Sequence, residues 1–391
     1  MAAALGVLVS CGSVKSGEEV VAASRDSKVV VAYVTSWSEV MPDPQYMTHI
    51  NYAFGHVNES FNGVKIDNEE RLRQIVDLRK QKPELKVLLS IGGWGSGRFS
   101  EMAANDEYRR AFAADCDRVV KEFALDGIDI DWEYPTSSMA NISSSPDDTE
   151  NFTLLMQDIR AAIGNEKELT LATVASARYI DFKAILPSVD FVNIMAYDMA
   201  SAPKHHSALY PSGHSGDITS DGAVTAHLKA GVPPSKLVMG MPFYGRGGDG
   251  YPSFQDYNKV GNTDTQYTEK WDEVAQVPYL ADKNDTLVFG FENPRSLAIK
   301  CQYILDKDLL GGMYWDYSGD NEQGDLRRTV AENLLGKPHK AKVLVLTERG
   351  GQHGGFTDAG LKWLAAEGAK GNFSITEINN ARNITCLLYT S

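Results

Sequence analysis

The sequence predicts an α/β protein built on a closed barrel of eight parallel strands and covering helices, followed by a shorter β-α-β unit. Three observations carry this. Eight short β-rich runs recur over about 310 residues, with amphipathic stretches filling most of the gaps. One run, Gly127 to Glu133, has an apolar face and an acidic one, follows a helical stretch and stops at Tyr134-Pro135, as an interior parallel strand does. After Gly336 the strand-helix-strand pattern starts again.

The amino terminus comes first. Residues 2 to 9 form a short apolar run that ends at Ser10-Cys11 and gives way to polar Gly12 to Glu19, like the end of a secretory signal. Leu8-Val9-Ser10-Cys11 resembles the bacterial lipobox, which implies lipidation at Cys11 and a secreted or membrane-anchored bacterial lipoprotein, in the periplasm or at the cell surface. No basic residue precedes the run, so a chance apolar terminus is the alternative. Residues 1–28 are therefore read as signal and polar linker.

The barrel spans 29–336. Its strands are expected at Val29 to Thr35, His49 to Phe54, Lys86 to Ile91, Gly127 to Glu133, Leu169 to Ala175, Phe191 to Tyr197, Leu237 to Phe243 and Gly311 to Trp315. Helices are expected at Glu69 to Lys82, Asp106 to Phe123, Thr149 to Ile163, Asp221 to Ala230, Pro294 to Leu305 and Asp325 to Leu335. The longer gaps after the sixth strand and from Arg246 to Phe291 read as substrate-facing loops.

The acidic face of the fourth strand decides the chemistry. Asp129, Asp131 and Glu133 stand two residues apart, so they share one side, with Ile128, Ile130 and Trp132 on the other. A solvated surface strand is the plain alternative, and the flanks oppose it. An unpaired buried charge costs about 3 to 5 kcal/mol, so three without purpose would consume most of a domain's stability of about 5 to 15 kcal/mol. Carboxylates this close share protons and keep at least one pKa raised, as a general acid requires. Active sites of such barrels lie at the carboxyl ends of the strands, which puts Glu133 at the rim with Asp131 and Asp129 deeper.

Composition narrows the function classes. A formal net charge of −14, without a dense Lys/Arg block, disfavours nucleic acid and anionic membranes and suits a neutral substrate. No apolar stretch is long enough to span a bilayer. Cysteines occur at 11, 116, 301 and 386; Cys116 and Cys301 fall in line with apolar residues at helical spacing and read as core. His205-His206 has no acidic or cysteine partner at ligand spacing and reads as a loop pair, so no metal and no cofactor are expected.

The run Asp126-Gly127-Ile128-Asp129-Ile130-Asp131-Trp132-Glu133-Tyr134-Pro135 resembles the DxxDxDxE signature of glycoside hydrolase family 18, the chitinases and their relatives. Ser90 to Gly93, Met195 to Asp198 and the Trp315-bearing last strand resemble its further signatures, in order. The likeness runs from about Val29 to Gly336 and implies a TIM barrel. It also implies roles. Glu133 would be the general acid; Asp131 would orient the substrate's 2-acetamido group, whose oxygen attacks the anomeric carbon to give an oxazolinium intermediate and retention; Asp129 would share a proton with Asp131. Tyr197 would donate to the acetamido oxygen, Asp198 would help bind the distorted sugar, and Trp315 would floor the site. Tyr33, Trp37, Phe54, Ser90, Gly93, Trp94, Tyr134, Met195 and Arg246 match cleft positions, and Asp126 completes the motif. The gap between the seventh and eighth strands looks too short for the full α+β insertion domain of many processive relatives, which implies a more open groove.

These readings lead to an endo-acting hydrolase of β-1,4-linked N-acetylglucosamine polymers or oligomers. An N-glycan or peptidoglycan hydrolase and a non-catalytic chitin-binding lectin are the alternatives. Residues 337–385, with Lys342 to Thr347, glycine-rich Gly350 to Gly355 and a second strand at Phe373 to Ile378, resemble the start of a ThuA-like (trehalose-utilisation) domain, which implies a truncated class I glutamine-amidotransferase-like fold. Residues 386–391 match the translation of a transposon-end sequencing adapter and are read as an artefact.

Overall fold

The computed structural model describes residues 28–248, 251–260, 266–336, 341–346, 358–364 and 373–378. The chain divides into a large unit, Asp26–Leu335, and a small one that includes Gly336–Ser391.

In the large unit eight parallel strands close on themselves: Val29–Thr35, His49–Val57, Lys86–Gly92, Gly127–Asp131, Glu168–Val174, Phe191–Met195, Leu237–Pro242 and Gly311–Trp315. Each pairs with the next, and the first pairs with both the second and the eighth. The expected helices are found at Glu69–Val76, Asp106–Glu122, Asp148–Ile163, Ser220–Lys229, Pro294–Asp306 and Asp325–Leu334. Strand residues facing out, such as Ile50, Leu89, Ile130, Leu171, Ile194 and Met239, pack with helix residues including Phe112, Leu155, Val224, Leu297 and Val330 in the main core. Each such side chain contributes about 1.5 to 3 kcal/mol on burial. The inward faces hold a smaller cluster, with Val31, Tyr33, Ala172, Met195, Val238 and Met313. Cys116 and Cys301 are buried free thiols on helices, as expected.

Register at the amino-terminal end is set by acids that precede strands. Asp126 accepts the Val87 backbone N–H at 2.7 Å and pairs with Arg79. Asp190 accepts the Leu169 N–H at 2.7 Å and pairs with Arg160. In both places a charge-assisted bond pins one strand's amide to the acid entering another strand.

The segment after the seventh strand corrects one expectation. It is not a loop. Gln255–Asp256, Tyr244–Gly247, Leu287–Gly290, Val277–Ala281 and Thr268–Asp272 form, in that spatial order, a five-stranded antiparallel sheet. Its own apolar cluster, Leu280, Val288, Phe289 and Phe291, explains why it folds. Among the described residues it contains one short 3-10 turn, Tyr257–Lys259, and no α-helix.

In the small unit Ala341–Leu346 and Phe373–Ile378 pair in parallel, with residues 358–364 helical between them in sequence. This is the expected β-α-β order, and nothing in it is specific to a glutamine-amidotransferase-like fold. Cys11 and residues 386–391 lie outside the described residues. No helix among the described residues is long and apolar enough to cross a membrane.

Candidate active site

The fourth strand leaves the sheet at Asp131, two residues earlier than expected. The Asp131 carbonyl accepts the Gly93 N–H at 2.8 Å. Trp132 turns outward and stacks on Phe99, ring centroids 5.3 Å apart, so the alternation of the motif is kept.

Asp129 is fully buried, and four hydroxyl or amide donors from four other strands meet it. Tyr33 Oη (2.8 Å) and Ser90 Oγ (2.7 Å) donate to Oδ2, and Thr170 Oγ1 (2.6 Å) and Asn193 Nδ2 (3.3 Å) donate to Oδ1. Ser90, Asp129 and Thr170 lie in register across three adjacent strands. Burial raises this carboxyl's pKa, and the four donors oppose the rise. A carboxylate has about four acceptor sites, and here each is used. Donors from the surrounding strands thus occupy both oxygens of Asp129.

Asp131 is the opposite case. Its Oδ1 is buried and has no hydrogen-bond partner. Burial, then the charges of Glu133 and Asp129, push its pKa well up. Glu133 is half-buried at the rim. Burial pushes it up to about 7, with Tyr134 opposing and the Asp198 charge adding to the rise. Tyr197 is half-buried, its hydroxyl 3.8 Å from the Met313 sulfur. Burial and the charges of Asp131, Glu133 and Asp198 keep that hydroxyl protonated, a donor with no strong acceptor. The ring needs Gly240 beneath it, where a Cβ would stand 2.9 Å from its edge.

Asp198 follows the sixth strand, with Arg246 entering from the inserted sheet. Two parallel bonds of 2.7 and 2.6 Å join them. Burial would raise the Asp198 pKa, but Arg246 and His206 outweigh it and hold the group well below the usual carboxylate range. The Arg246 guanidinium also lies over the Tyr244 and Phe254 rings, at 5.4 and 5.3 Å from their centroids.

Aromatic rings frame the mouth. Trp315 packs against Tyr33 (5.5 Å) and is stacked with Phe54 (5.6 Å). Trp37 and Trp94 are 64% and 62% exposed, which leaves their faces free for a ligand. Trp37 neighbours Phe54, and Trp94 meets Tyr134 edge-on, each pair 6.4 Å apart. Gly93 has φ +92°, and a Cβ there would stand 2.6 Å from the Phe54 ring. Ser90 and Met195 are buried in the barrel wall beneath. Asp126, by contrast, sits at the amino end of the fourth strand and serves register.

The structure thus gathers every expected cleft residue at one end of the barrel and adds Thr170, Asn193, Gly240, Tyr244, Phe254 and His206. Thr170 and Asn193 had a signal, since strand parity turns them inward, but a lone Thr or Asn inside a strand is ordinary.

Comparison with known proteins bears on the family and the fold. The model of the glycosyl hydrolases family 18 matches residues 29–320. Chitinase A1 of Niallia circulans is 30% identical, over 77% of this chain and 58% of that protein's length. Chitotriosidase-1 of Mus musculus is 31% identical, over 75% of this chain and 74% of its own length. Among solved structures, a family 18 N-acetylglucosaminidase from Paenibacillus barengoltzii superposes with a TM-score of 0.73 at 32% identity, covering 78% of this chain and all of that one.

Proposed function

The chain belongs to the glycosyl hydrolases of family 18 and is a glycoside hydrolase, and on that premise we propose that it hydrolyses β-1,4-linked N-acetylglucosamine chains with retention, using the substrate's own acetamido group as nucleophile. The observation that carries this reading is the buried, unpartnered Oδ1 of Asp131. An orphaned acceptor at the centre of a site calls for a donor from the ligand, and the acetamido N–H is one.

The steps follow from the charges. Glu133, with a pKa near 7, is protonated on the acid side of neutrality and gives its proton to the glycosidic oxygen as that bond breaks. Asp131 accepts the acetamido N–H and turns the carbonyl oxygen toward the anomeric carbon, where it forms the new bond of an oxazolinium ion. The Tyr197 hydroxyl donates to that oxygen. Glu133, now a carboxylate, takes a proton from water, which opens the oxazolinium from the face the leaving group vacated. The developing positive charge opposes the rise in the Asp131 pKa, and the negative charge that Asp131 and Asp129 then carry stabilises the cation. No enzyme carboxylate is needed as nucleophile, which is a known exception to the two-carboxylate scheme. Trp315 offers an apolar face to the sugar ring.

The test is the full chain on defined N-acetylglucosamine oligomers, with Glu133→Gln alongside. Cleavage releasing the β-anomer first, lost in the variant, is expected. α-Anomer released first would overturn the mechanism. Oligomer binding without cleavage would favour a lectin, and neither would turn attention to N-glycans and peptidoglycan. A second reading, removal of single N-acetylglucosamine units, draws support from the Paenibacillus barengoltzii relative described as an N-acetylglucosaminidase; the length of the first products separates it from endo cleavage.

A further inference from the structure

His205 has no metal-ligand partner at sequence spacing, and the fold brings two to it. His206, its neighbour, turns to Asp198, with Nδ1 3.5 Å from the carboxylate. His205 turns the other way. Its Nε2 lies 3.2 Å from Asp272 Oδ2, and His214 Nδ1, from farther along the same loop, lies 3.8 Å from that oxygen. The three atoms all fall within 4.8 Å of one another. Zinc bound tetrahedrally by nitrogen and oxygen at about 2.0 to 2.1 Å spaces its ligand atoms about 3.4 Å apart, so small side-chain movements would complete such a triangle.

Further contacts hold the Asp272 carboxylate and the backbone of the loop that carries the two histidines. Asp272 Oδ1 accepts the backbone N–H groups of Val274 and Ala275, each at 2.9 Å, which leaves Oδ2 toward the histidines. Ser212 Oγ donates to Oδ2 at 2.8 Å and accepts the His214 N–H at 3.1 Å. The His205 N–H donates to the His214 carbonyl at 2.7 Å, which ties the loop's two ends together. The Tyr279 ring packs against both imidazoles, at 5.5 and 5.8 Å. The outer hydrogen bonds that orient a metal ligand are thus in place for Asp272, while His205 Nδ1 is buried without a partner.

We propose that His205, His214 and Asp272 bind one divalent zinc ion, with water completing the coordination, and that the ion clamps the loop after the sixth strand to the inserted sheet. Two imidazoles and one carboxylate suit zinc rather than calcium or magnesium, which prefer all-oxygen sites. The clamp joins the same two segments that meet at the Asp198–Arg246 pair in the cleft. It is separate from the hydrolytic residues and does not depend on the substrate reading.

The test is isothermal titration of the metal-free, tag-free full chain with zinc chloride, with His214→Ala and Asp272→Asn as variants. His214 is half-exposed, so its alanine variant should keep the parent's melting temperature without zinc, which separates lost binding from lost folding. Expected are one zinc per chain, affinity reduced at least tenfold in both variants, and a melting temperature raised by about 5 °C at a hundredfold excess over Kd in the parent alone. An absence of saturable binding near one equivalent, or equal binding by parent and variants, would overturn the proposal.

Discussion

Replacing Glu133 with glutamine should remove activity and, above neutral pH, make the protein more stable. The Glu133 carboxyl has an ordinary pKa of 4.5 and, in the fold, one of about 7. The sign follows from the two states. Below pH 4.5 both hold the proton and the residue adds no pH dependence. Between 4.5 and 7 the unfolded chain gives up the proton while the native protein keeps it, so stability falls as pH rises; above 7 the loss is complete. It amounts to up to about 3 kcal/mol. Glutamine has the same shape and no proton to lose, so the variant escapes this. Asp131 reinforces the effect, because Glu133 raises its pKa too. Guanidinium unfolding of parent and variant at pH 4 and pH 8 measures it: the variant's advantage should grow by about 2 to 3 kcal/mol between the two. A difference that stays constant with pH, or a parent favoured at pH 8, would refute the argument. Activity runs in parallel. The parent's rate should decline as pH passes about 7, and the variant should lose about 10²- to 10⁴-fold, the usual contribution of a general acid.

Three further substitutions test the support around the site. Thr170→Val removes one of four donors to buried Asp129 and should cost about 1.5 to 3 kcal/mol in chemical denaturation, with Thr170→Ser restoring most of it. Lys300→Met should cost about 3 to 5 kcal/mol, because it strips the cation from Glu292 where both side chains are fully buried; adding Glu292→Gln, which removes the unpaired charge and keeps one oxygen to accept from the Ser207 or the Ser296 hydroxyl, should recover part of the loss. Gly93→Ala puts a methyl against the Phe54 ring at a positive φ and should lower stability by about 2 kcal/mol and weaken oligomer binding in titration, while Gly213→Ala, with open space around it, should do neither.

The barrel was legible because its signal is local. The alternation of Asp129, Asp131 and Glu133 with Ile128, Ile130 and Trp132 declares two faces within eight residues, and it survived into the fold although the strand stops at Asp131. The inserted sheet was not legible. Its strands are two to five residues long, and residues such as Leu280 and Phe289 bury one another only after antiparallel pairing has been made. Asp272 was hidden for the same reason: it meets His205 across 67 residues, and no spacing rule reaches that far.

The difference between neighbouring carboxyls is set by what the barrel brings to each. Asp129 and Asp131 are both buried acids on one strand, two residues apart. Four strands send donors to the first and none to the second, so the first can carry charge inside the protein while the second is left with an unmet acceptor and a raised pKa. An ionised Asp129 then raises the cost of ionising Asp131, as the charge of Glu133 does from the other side. A protein donor to Asp131 would relieve that cost and improve stability, and it would also take away the place where, on the proposed reading, a substrate amide binds. The same reasoning applies to Tyr197, whose hydroxyl has a thioether for a neighbour where a carbonyl would satisfy it better. Buried polar groups left under-satisfied are expensive to keep, and Asp131 and Tyr197 are two such groups in electrostatic contact with each other, which is what a site waiting for a polar ligand requires.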